Sequence, residues 1–253
     1  MTLCVGFRCR DGVVIAADSQ MTGNNLTFPE LKLDGLKWVN GRAIWGYSGS
    51  IDTARRLRRE LASKFGTSAN VADVADVHTR LQQSLKAALR PRETFYTLFG
   101  VSFPNQNYPT LILSDGKYTS EVDHCDAIGQ DSPLVRYLLH LCQSRFVTTT
   151  SQAFVAALYI VSQVKAFDGQ KVGHGTNVSI LRSDPNLLIR VLSRSQEWEA
   201  DLQTIEEWTM SMLGQLSNSK FDEKTTASNM ETYLTRLKEF AVKVRKLDLE
   251  GQP

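Results

Sequence analysis

The sequence predicts an α+β protein in which two layers of strands pack face to face and pairs of helices cover the outside. Strand-like and helix-like segments come in blocks, in the order strands, two helices, strands, two helices, strands, instead of the strict alternation of a parallel sheet. Asp-Gly and Asn-Gly pairs separate several strand-like segments, which favours antiparallel hairpins. The 253 residues are 42% hydrophobic and 22% charged, so the chain can bury a sizeable core.

Two hairpins are predicted within the first fifty residues. Leu3–Cys9 and Gly12–Asp18 are rich in apolar and β-branched residues, and an Asp-Gly turn lies between them. Residues 36–39 and 42–48 follow the same pattern around an Asn-Gly turn, whose positive backbone dihedrals suit both residues. Ser50, directly after the fourth strand, is a predicted helix N-cap.

Two amphipathic helices are predicted after the second hairpin. The first is indicated by an apolar stripe at helical spacing, with arginines on the opposite, solvated face. The second covers residues 71–89 and ends before Pro91, which cannot continue a helix. The stripe of the first helix consists of Ile51, Ala54, Leu57, Leu61 and Phe65.

Further strand and helix blocks are predicted up to residue 195. A Ser-Pro helix start is predicted at Pro133, and another helix is expected over residues 151–166. The predicted strands cover residues 94–103, 109–114 and 117–122 before these helices, and residues 176–181 and 187–192 after them. We therefore expect one layered domain over residues 1–195.

Residues 196–253 are expected to form a separate helical C-terminal extension. Helical patterns cover residues 198–216 and 230–247, and a polar stretch divides them. The second of these helices carries an apolar stripe that needs a partner surface. Its members are Met230, Tyr233, Leu237, Phe240, Val244 and Leu247.

Composition and charge argue against several classes of protein. The 29 Lys and Arg residues nearly balance 27 Asp and Glu residues, which is unlike a protein that neutralises nucleic-acid phosphates. The longest apolar run, residues 153–161, is too short to cross a bilayer, so we expect a cytoplasmic protein without a membrane or nucleic-acid partner. The four cysteines have no CxxC spacing and no ATP-binding motif is present, so neither a metal nor a cofactor is expected.

Thr2 is a candidate nucleophile. A methionine that precedes a small side chain is normally removed, which would leave Thr2 with a free α-amine. The hydroxyl of such a residue can attack a carbonyl carbon while the α-amine, with an ordinary pKa of about 7.7–8.0, takes the hydroxyl proton. A threonine at this position is common, so its significance depends on the residues around it.

The residues around Thr2 resemble a known family. Residues 2–7 (TLCVGF) and 11–19 (DGVVIAADS), together with Thr22, closely resemble the opening of proteasome β subunits and related bacterial ring peptidases. The resemblance continues at residues 40–42, 47–50 and 127–133 and, more loosely, at 168–178. It covers about the first 195 residues. It implies the four-layer αββα sandwich of the N-terminal-nucleophile hydrolases and a threonine-type endopeptidase activity.

Carried over residue by residue, the resemblance implies a catalytic set. Thr2 becomes the nucleophile, with its own amine as the general base, and Asp18 matches the acidic residue that orients a lysine. Lys32 fits the pattern of that lysine best, although counting back from the Asn-Gly turn leads to Asp34, and Lys37 is the other candidate. A fixed ammonium near Thr2 would lower the pKa of its hydroxyl and amine.

The resemblance also implies the groups that would bind substrate. Gly49 falls at the backbone amide of the oxyanion hole, and Thr22 falls where an extended peptide binds as an added strand. Asp168 would be a supporting carboxylate. The residues that would line the first specificity pocket are Met21, Tyr47 and Ile51.

The chain departs from the family at two supporting positions, where Gln130 and Val172 replace serines. The leading hypothesis is a homo-oligomeric ring that cleaves peptides or unfolded proteins, with any ATP-dependent unfolding supplied by a separate partner. Hydrolysis or acyl transfer at a small amide is an alternative that uses the same chemistry. A catalytically inactive ring subunit is a further alternative, because two supporting hydroxyls are lost.

Overall fold

The computed structural model describes residues 2–23, 26–104, 106, 108–129, 133–143, 147–167, 172–173, 175–183, 190–192, 196–216 and 223–249. Contacts between residues divide the chain into two units, Met1–Ser195 and Gln196–Pro253. The helices of the first unit are α1 (Ile51–Lys64), α2 (Val74–Ala88), α3 (Pro133–Gln143) and α4 (Thr150–Phe167). Its strands are β1 (Leu3–Cys9), β2 (Gly12–Asp18), β3 (Gln20–Gly23), β4 (Leu26–Pro29), β5 (Leu33–Trp38), β6 (Gly41–Ser48), β7 (Tyr96–Ser102), β8 (Thr110–Ser114), β9 (Thr119–Val122), β10 (Cys125–Gly129), β11 (Thr176–Arg182) and β12 (Arg190–Leu192).

Two five-stranded antiparallel sheets form the centre of the first unit. The first sheet has the order β10-β1-β2-β11-β12, and the second has the order β5-β6-β7-β8-β9. The β1–β2 hairpin therefore lies in the middle of the first sheet, with Cys4 opposite Ala17. A separate two-stranded ribbon, β3 and β4, follows directly after β2.

The second sheet carries apolar core on both of its faces. Side chains from both sheets meet between them, including Cys4, Ile15 and Leu98, none of which is exposed to solvent. On the outer face of the second sheet, strand residues such as Trp45 and Phe99 pack against α1 and α2. The stripe predicted for the first helix enters this outer core through Ala54, Leu57, Leu61 and Phe65.

The other pair of helices covers the first sheet. Helix α4 packs on β1, β2 and β11, and α3 packs on α4 and β10. The layers are thus helices, sheet, sheet and helices, and the predicted α+β sandwich is confirmed. Burial of apolar surface on both faces of each sheet is the main stabilising contribution in such an arrangement.

The structure differs from the predicted elements mainly where strands are short or contain poor strand formers. Strand β10 was not predicted, because its five residues lack the alternation that marks a half-buried strand. Strand β5 begins at Leu33, earlier than predicted, since pairing with β6 includes an Asp-Gly pair that disfavours strands on its own. Ser50 is the N-cap of α1 in backbone conformation, but its side chain makes no capping hydrogen bond.

The second unit consists of two helices, α5 (Gln196–Leu216) and α6 (Glu223–Leu249). They run antiparallel, with the ring of Trp198 edge-on to Phe240 at 5.9 Å and the ammonium of Lys243 4.4 Å from the centre of the Trp198 ring. Helix α6 begins earlier than the predicted residue 230. Among the described residues of both units, no helix is long and apolar enough to span a membrane.

Candidate active site

Asp18 lies at the end of β2 and is completely buried. Its Oδ1 atom accepts a hydrogen bond of 2.8 Å from the main-chain amide of Leu3. Its Oδ2 atom accepts a second one of 3.1 Å from the amide of Gln20. The carboxylate is therefore held by main-chain amides at the start of β1 and the start of β3, and the first of these belongs to the residue that follows Thr2.

Lys32 lies directly before β5 and is also completely buried. Its Nζ atom is 2.9 Å from Oδ2 of Asp18, so the ion pair connects the end of the first sheet to the start of the second. Burial lowers the pKa of Lys32 below its ordinary value, and the charge and hydrogen bond of Asp18 oppose this shift. An enclosed ion pair of this kind is costly to desolvate, which makes it weak evidence for stability and a stronger indication of a functional site.

The structure distinguishes between the two candidate lysines that the sequence left open. Lys37 lies on β5 opposite Arg42 and is exposed. Asp34, the position reached by counting back from the turn, forms an ion pair with Arg58 of α1. Of the two candidate lysines, only Lys32 is brought to Asp18.

Thr2 is 5% exposed and lies against Gly129 at the end of β10. Leu3 pairs with Gly129, whose φ of +100° suits glycine. A Cβ atom at position 129 would lie only 1.8 Å from the carbonyl oxygen of Thr2. A glycine is therefore required where the end of β1 meets β10.

Gly49 connects β6 to α1 with a φ of +141°. A side chain there would meet the ring of Phe95 at 2.7 Å, so the turn is closed by close packing as well as by its dihedral angle. Gly49 follows the strand that pairs with β5, which begins next to Lys32. The turn thus belongs to the same end of the second sheet as the buried lysine.

Tyr47 does not lie in a surface pocket. Its side chain is 2% exposed and stacks on Phe95 in the outer core, with ring centres 5.7 Å apart and an angle of 11° between the planes. Burial raises the pKa of Tyr47 to about 12, so the phenol remains protonated. The sequence-based role of Tyr47 as a pocket residue is at odds with this position, because strand β6 directs its ring toward the helices.

The structure describes only some of the remaining predicted site residues. Ile51 is partly exposed in the first turn of α1. The main chains of Met21 and Thr22 lie in β3, opposite Phe28 and Thr27 of β4, whereas their side chains are outside the described residues. Asp168 also lies outside the described residues.

Pairing between β2 and β11 brings further residues close to Asp18. The sequence analysis did not assign them to the site. Thr176 pairs directly with Asp18 across β11 and β2, and its hydroxyl lies 3.2 Å from Nζ of Lys165 on α4. The amide of Ser19 donates to the carbonyl oxygen of Gly175 at 2.8 Å. No local pattern marks these residues, since only the pairing of distant strands brings them to Asp18.

Cys4, which lies near Asp18 and Lys32, and Val172, which stands where the family resemblance implied a serine, provide no reactive group. Burial, with a contribution from Asp18, raises the pKa of the Cys4 thiol, so this cysteine is not a thiolate at neutral pH. Val172 is completely buried and provides no hydroxyl. Neither residue therefore replaces Thr2 as the candidate nucleophile.

Comparison with solved structures places this geometry in a known fold. Neither a protein-family model nor a curated protein matches the chain. Anbu (ancestral beta-subunit) from Yersinia bercovieri matches with a TM-score of 0.71 and 17% identity, over 87% of this chain and 100% of that chain. The chain shares the fold of the Anbu proteins.

Other Anbu structures give the same result. Anbu from Hyphomicrobium sp. strain MC1 has a TM-score of 0.72 at 14% identity, with 87% of this chain and 99% of that chain covered. The helical assembly of the Anbu complex from Pseudomonas aeruginosa has a TM-score of 0.70 at 16% identity, with 87% and 100% covered. At these identities the likeness shows the fold alone.

Proposed function

We propose that this chain is an N-terminal-nucleophile hydrolase that cleaves peptide bonds with Thr2, once Met1 has been removed. The observation that supports the proposal most strongly is the enclosed ion pair between Asp18 and Lys32, tied at 2.8 Å to the amide that follows Thr2. An ammonium so close to an N-terminal threonine lowers the pKa of the groups that must lose a proton. In an ordinary apolar core such a pair adds little net stability, because desolvation offsets the attraction between the charges.

In the proposed reaction, Thr2 supplies both the nucleophile, its hydroxyl, and the general base, its α-amine. The Thr2 hydroxyl attacks the substrate carbonyl while the α-amine takes its proton, and the amide of Gly49 donates to the developing oxyanion. The α-ammonium then gives its proton to the leaving amine, which leaves an ester between the acyl group and Thr2. Water hydrolyses this ester with the α-amine again acting as the base.

The proposed substrate is an extended peptide or unfolded protein. Strand β3, which includes Thr22, follows directly after Asp18 and pairs only with β4 among the described strands, so a peptide can add to its other edge. We further propose a homo-oligomeric assembly, supported by the fold shared with an Anbu complex whose structure is a helical assembly. A separate ATP-dependent partner would be needed to unfold stable proteins.

Intact-protein mass spectrometry tests the proposed nucleophile. We expect the purified chain to lack Met1 and to gain the mass of one β-lactone or epoxyketone inhibitor, with fragmentation that locates the adduct at Thr2. Thr2→Ala should retain the fold and lose both the adduct and the turnover of fluorogenic peptides. A terminus that keeps its methionine, or that stays unreactive, would instead favour the inactive ring subunit.

The choice of acyl acceptor is tested on the same protein. With a peptide substrate and an added amine such as hydroxylamine, a hydrolase gives the free acid as the main product, whereas an acyl transferase gives the amide or hydroxamate. We expect the acid. A predominant transfer product would favour the alternative function on a small amide.

A further inference from the structure

Ser48 is the last residue of β6 and precedes Gly49, the proposed oxyanion donor. Its side chain is 8% exposed. The hydroxyl oxygen lies 2.8 Å from the point that a Cβ atom on Gly129 would occupy, and that point is 1.8 Å from the carbonyl oxygen of Thr2. Ser48 from the second sheet and Thr2 from the first therefore face the same side of Gly129.

The hydroxyl of Ser48 has no hydrogen-bond partner among the described residues. By contrast, the hydroxyl of Thr97 on the neighbouring strand is paired, since it donates to the carbonyl of Gly46 at 2.8 Å. Some unpaired polar atoms among the described residues are completely inaccessible to solvent. The Ser48 hydroxyl is not one of them, so a water molecule can reach it. A nearly buried hydroxyl without a protein partner is uncommon and calls for a reason.

The Ser48 hydroxyl lies near the peptide group that joins Thr2 to Leu3. The amide of that group, on Leu3, donates to Asp18 at 2.8 Å. Its carbonyl oxygen, on Thr2, lies on the side of Gly129 that the Ser48 hydroxyl also faces. A hydrogen bond at each end fixes the plane of the peptide group and with it the direction of the Thr2 amine and hydroxyl.

We propose that Ser48 is a positioning residue for Thr2: its hydroxyl donates a hydrogen bond to one water molecule, which in turn donates to the Thr2 carbonyl. Together with Asp18 it holds the peptide group that follows the nucleophile. The kinetic consequence rests on the proposed function, because small displacements of a reacting group cost a large part of the rate. The structural consequence, a fixed Thr2, does not depend on it.

Ser48→Ala and Ser50→Ala form a matched pair of variants. Ser50 is exposed two residues further along, and its side chain makes no capping bond. We expect Ser48→Ala to lower the maximal rate of Thr2 acylation by a β-lactone about tenfold, the effect of one lost hydrogen bond, without changing the inhibitor concentration for half-maximal rate. Ser48→Thr, which keeps the hydroxyl, should restore most of the rate, and Ser50→Ala should match the wild type.

A second measurement keeps this inference separate from the proposed function. In protein labelled with 13C at threonine methyl groups, Ser48→Ala should shift and broaden the Thr2 methyl signal, while Ser50→Ala should leave it unchanged. If wild-type Thr2 is never acylated, the proposed function fails and the Thr2 signal alone decides the role of Ser48. An unchanged Thr2 signal in a folded Ser48→Ala protein, or an acylation rate equal to that of Ser50→Ala, would overturn the inference.

Discussion

Nζ of Lys32 lies 2.9 Å from Oδ2 of Asp18, and neither side chain is exposed to solvent. The two residues belong to different sheets, so their ion pair is formed only when the sheets pack together. Its other hydrogen bonds go to the main chain beside Thr2 and at the start of β3. The pair therefore couples assembly of the sandwich to the arrangement of the proposed nucleophile.

Removal of Lys32 should be far more damaging than removal of Lys37. Lys32→Ala leaves Asp18 as an uncompensated buried charge, so we expect a loss of about 3–5 kcal/mol in the free energy of unfolding and loss of Thr2 acylation. Denaturant unfolding and inhibitor labelling measure the two effects. Lys37→Ala is the matched control, since this exposed lysine should affect neither; an inactive Lys37→Ala with an active Lys32→Ala would show that the lysine has been wrongly assigned.

The rate of Thr2 acylation should fall at alkaline pH. The proposed mechanism needs Lys32 as an ammonium, and burial lowers its pKa below 10.5. The ammonium is therefore present at lower pH and is lost as the pH rises through that lowered pKa, so the decline should begin earlier than for an ordinary lysine. A pH profile of β-lactone inactivation measures it, and a rate that stays level up to pH values near 10.5 would contradict the prediction.

Gly129→Ala should disrupt the Thr2 end of the site. The new methyl group would lie 1.8 Å from the Thr2 carbonyl oxygen at a φ of +100°, so the chain must move. We expect a loss of acylation and a destabilisation of at least about 1–2 kcal/mol. Gly175→Ala is the control, because among the described residues its Cβ would meet only the Ser19 hydroxyl, at an ordinary 3.7 Å; equal effects of the two variants would argue against a specific role of Gly129.

Tyr47 should affect stability more than cleavage preference. Its ring is stacked on Phe95 in the outer core, so Tyr47→Ala is expected to cost about 3–5 kcal/mol, while Tyr47→Phe should retain most of the stability. Denaturant unfolding and a peptide library measure the two properties. An altered cleavage preference in a stable Tyr47→Phe protein would support the sequence-based role of Tyr47 as a pocket residue.

Residues 196–253 should contribute to the proposed assembly. Their helices expose large apolar side chains, including Met210, Leu213, Leu234 and Val242. We expect Leu213→Glu, introduced into the full chain, to reduce the sedimentation coefficient of the assembly, because a charge is costly in an apolar interface. Glu207→Lys, which changes a charge on the same helix, is the control. An unchanged sedimentation profile for Leu213→Glu would count against a role of this surface in assembly.

Local patterns in the sequence were sufficient for the α+β class, the first two hairpins and the six helices that the described residues form. Strand alternation and Asn-Gly or Asp-Gly turns are short-range signals, so they survive without tertiary context. The pattern around Thr2 and Asp18 was equally local, because both residues lie in one hairpin. Strand β10 and the earlier start of β5 escaped prediction, since pairing with a neighbouring strand decides them.

Only the tertiary structure decided which lysine meets Asp18, which face of β6 carries Tyr47 and what lies beside Thr2. Lys32 and Lys37 are separated by five positions in one segment, and their sequence neighbours do not determine which ammonium is enclosed. Burial and proximity depend on how the two sheets pack, and this brings Lys32, Ser48 and Gly129 from distant parts of the chain to the end of one hairpin. The sequence thus predicted Thr2 as the proposed nucleophile and Asp18 as its carboxylate, and packing between the sheets determines which residues lie beside them.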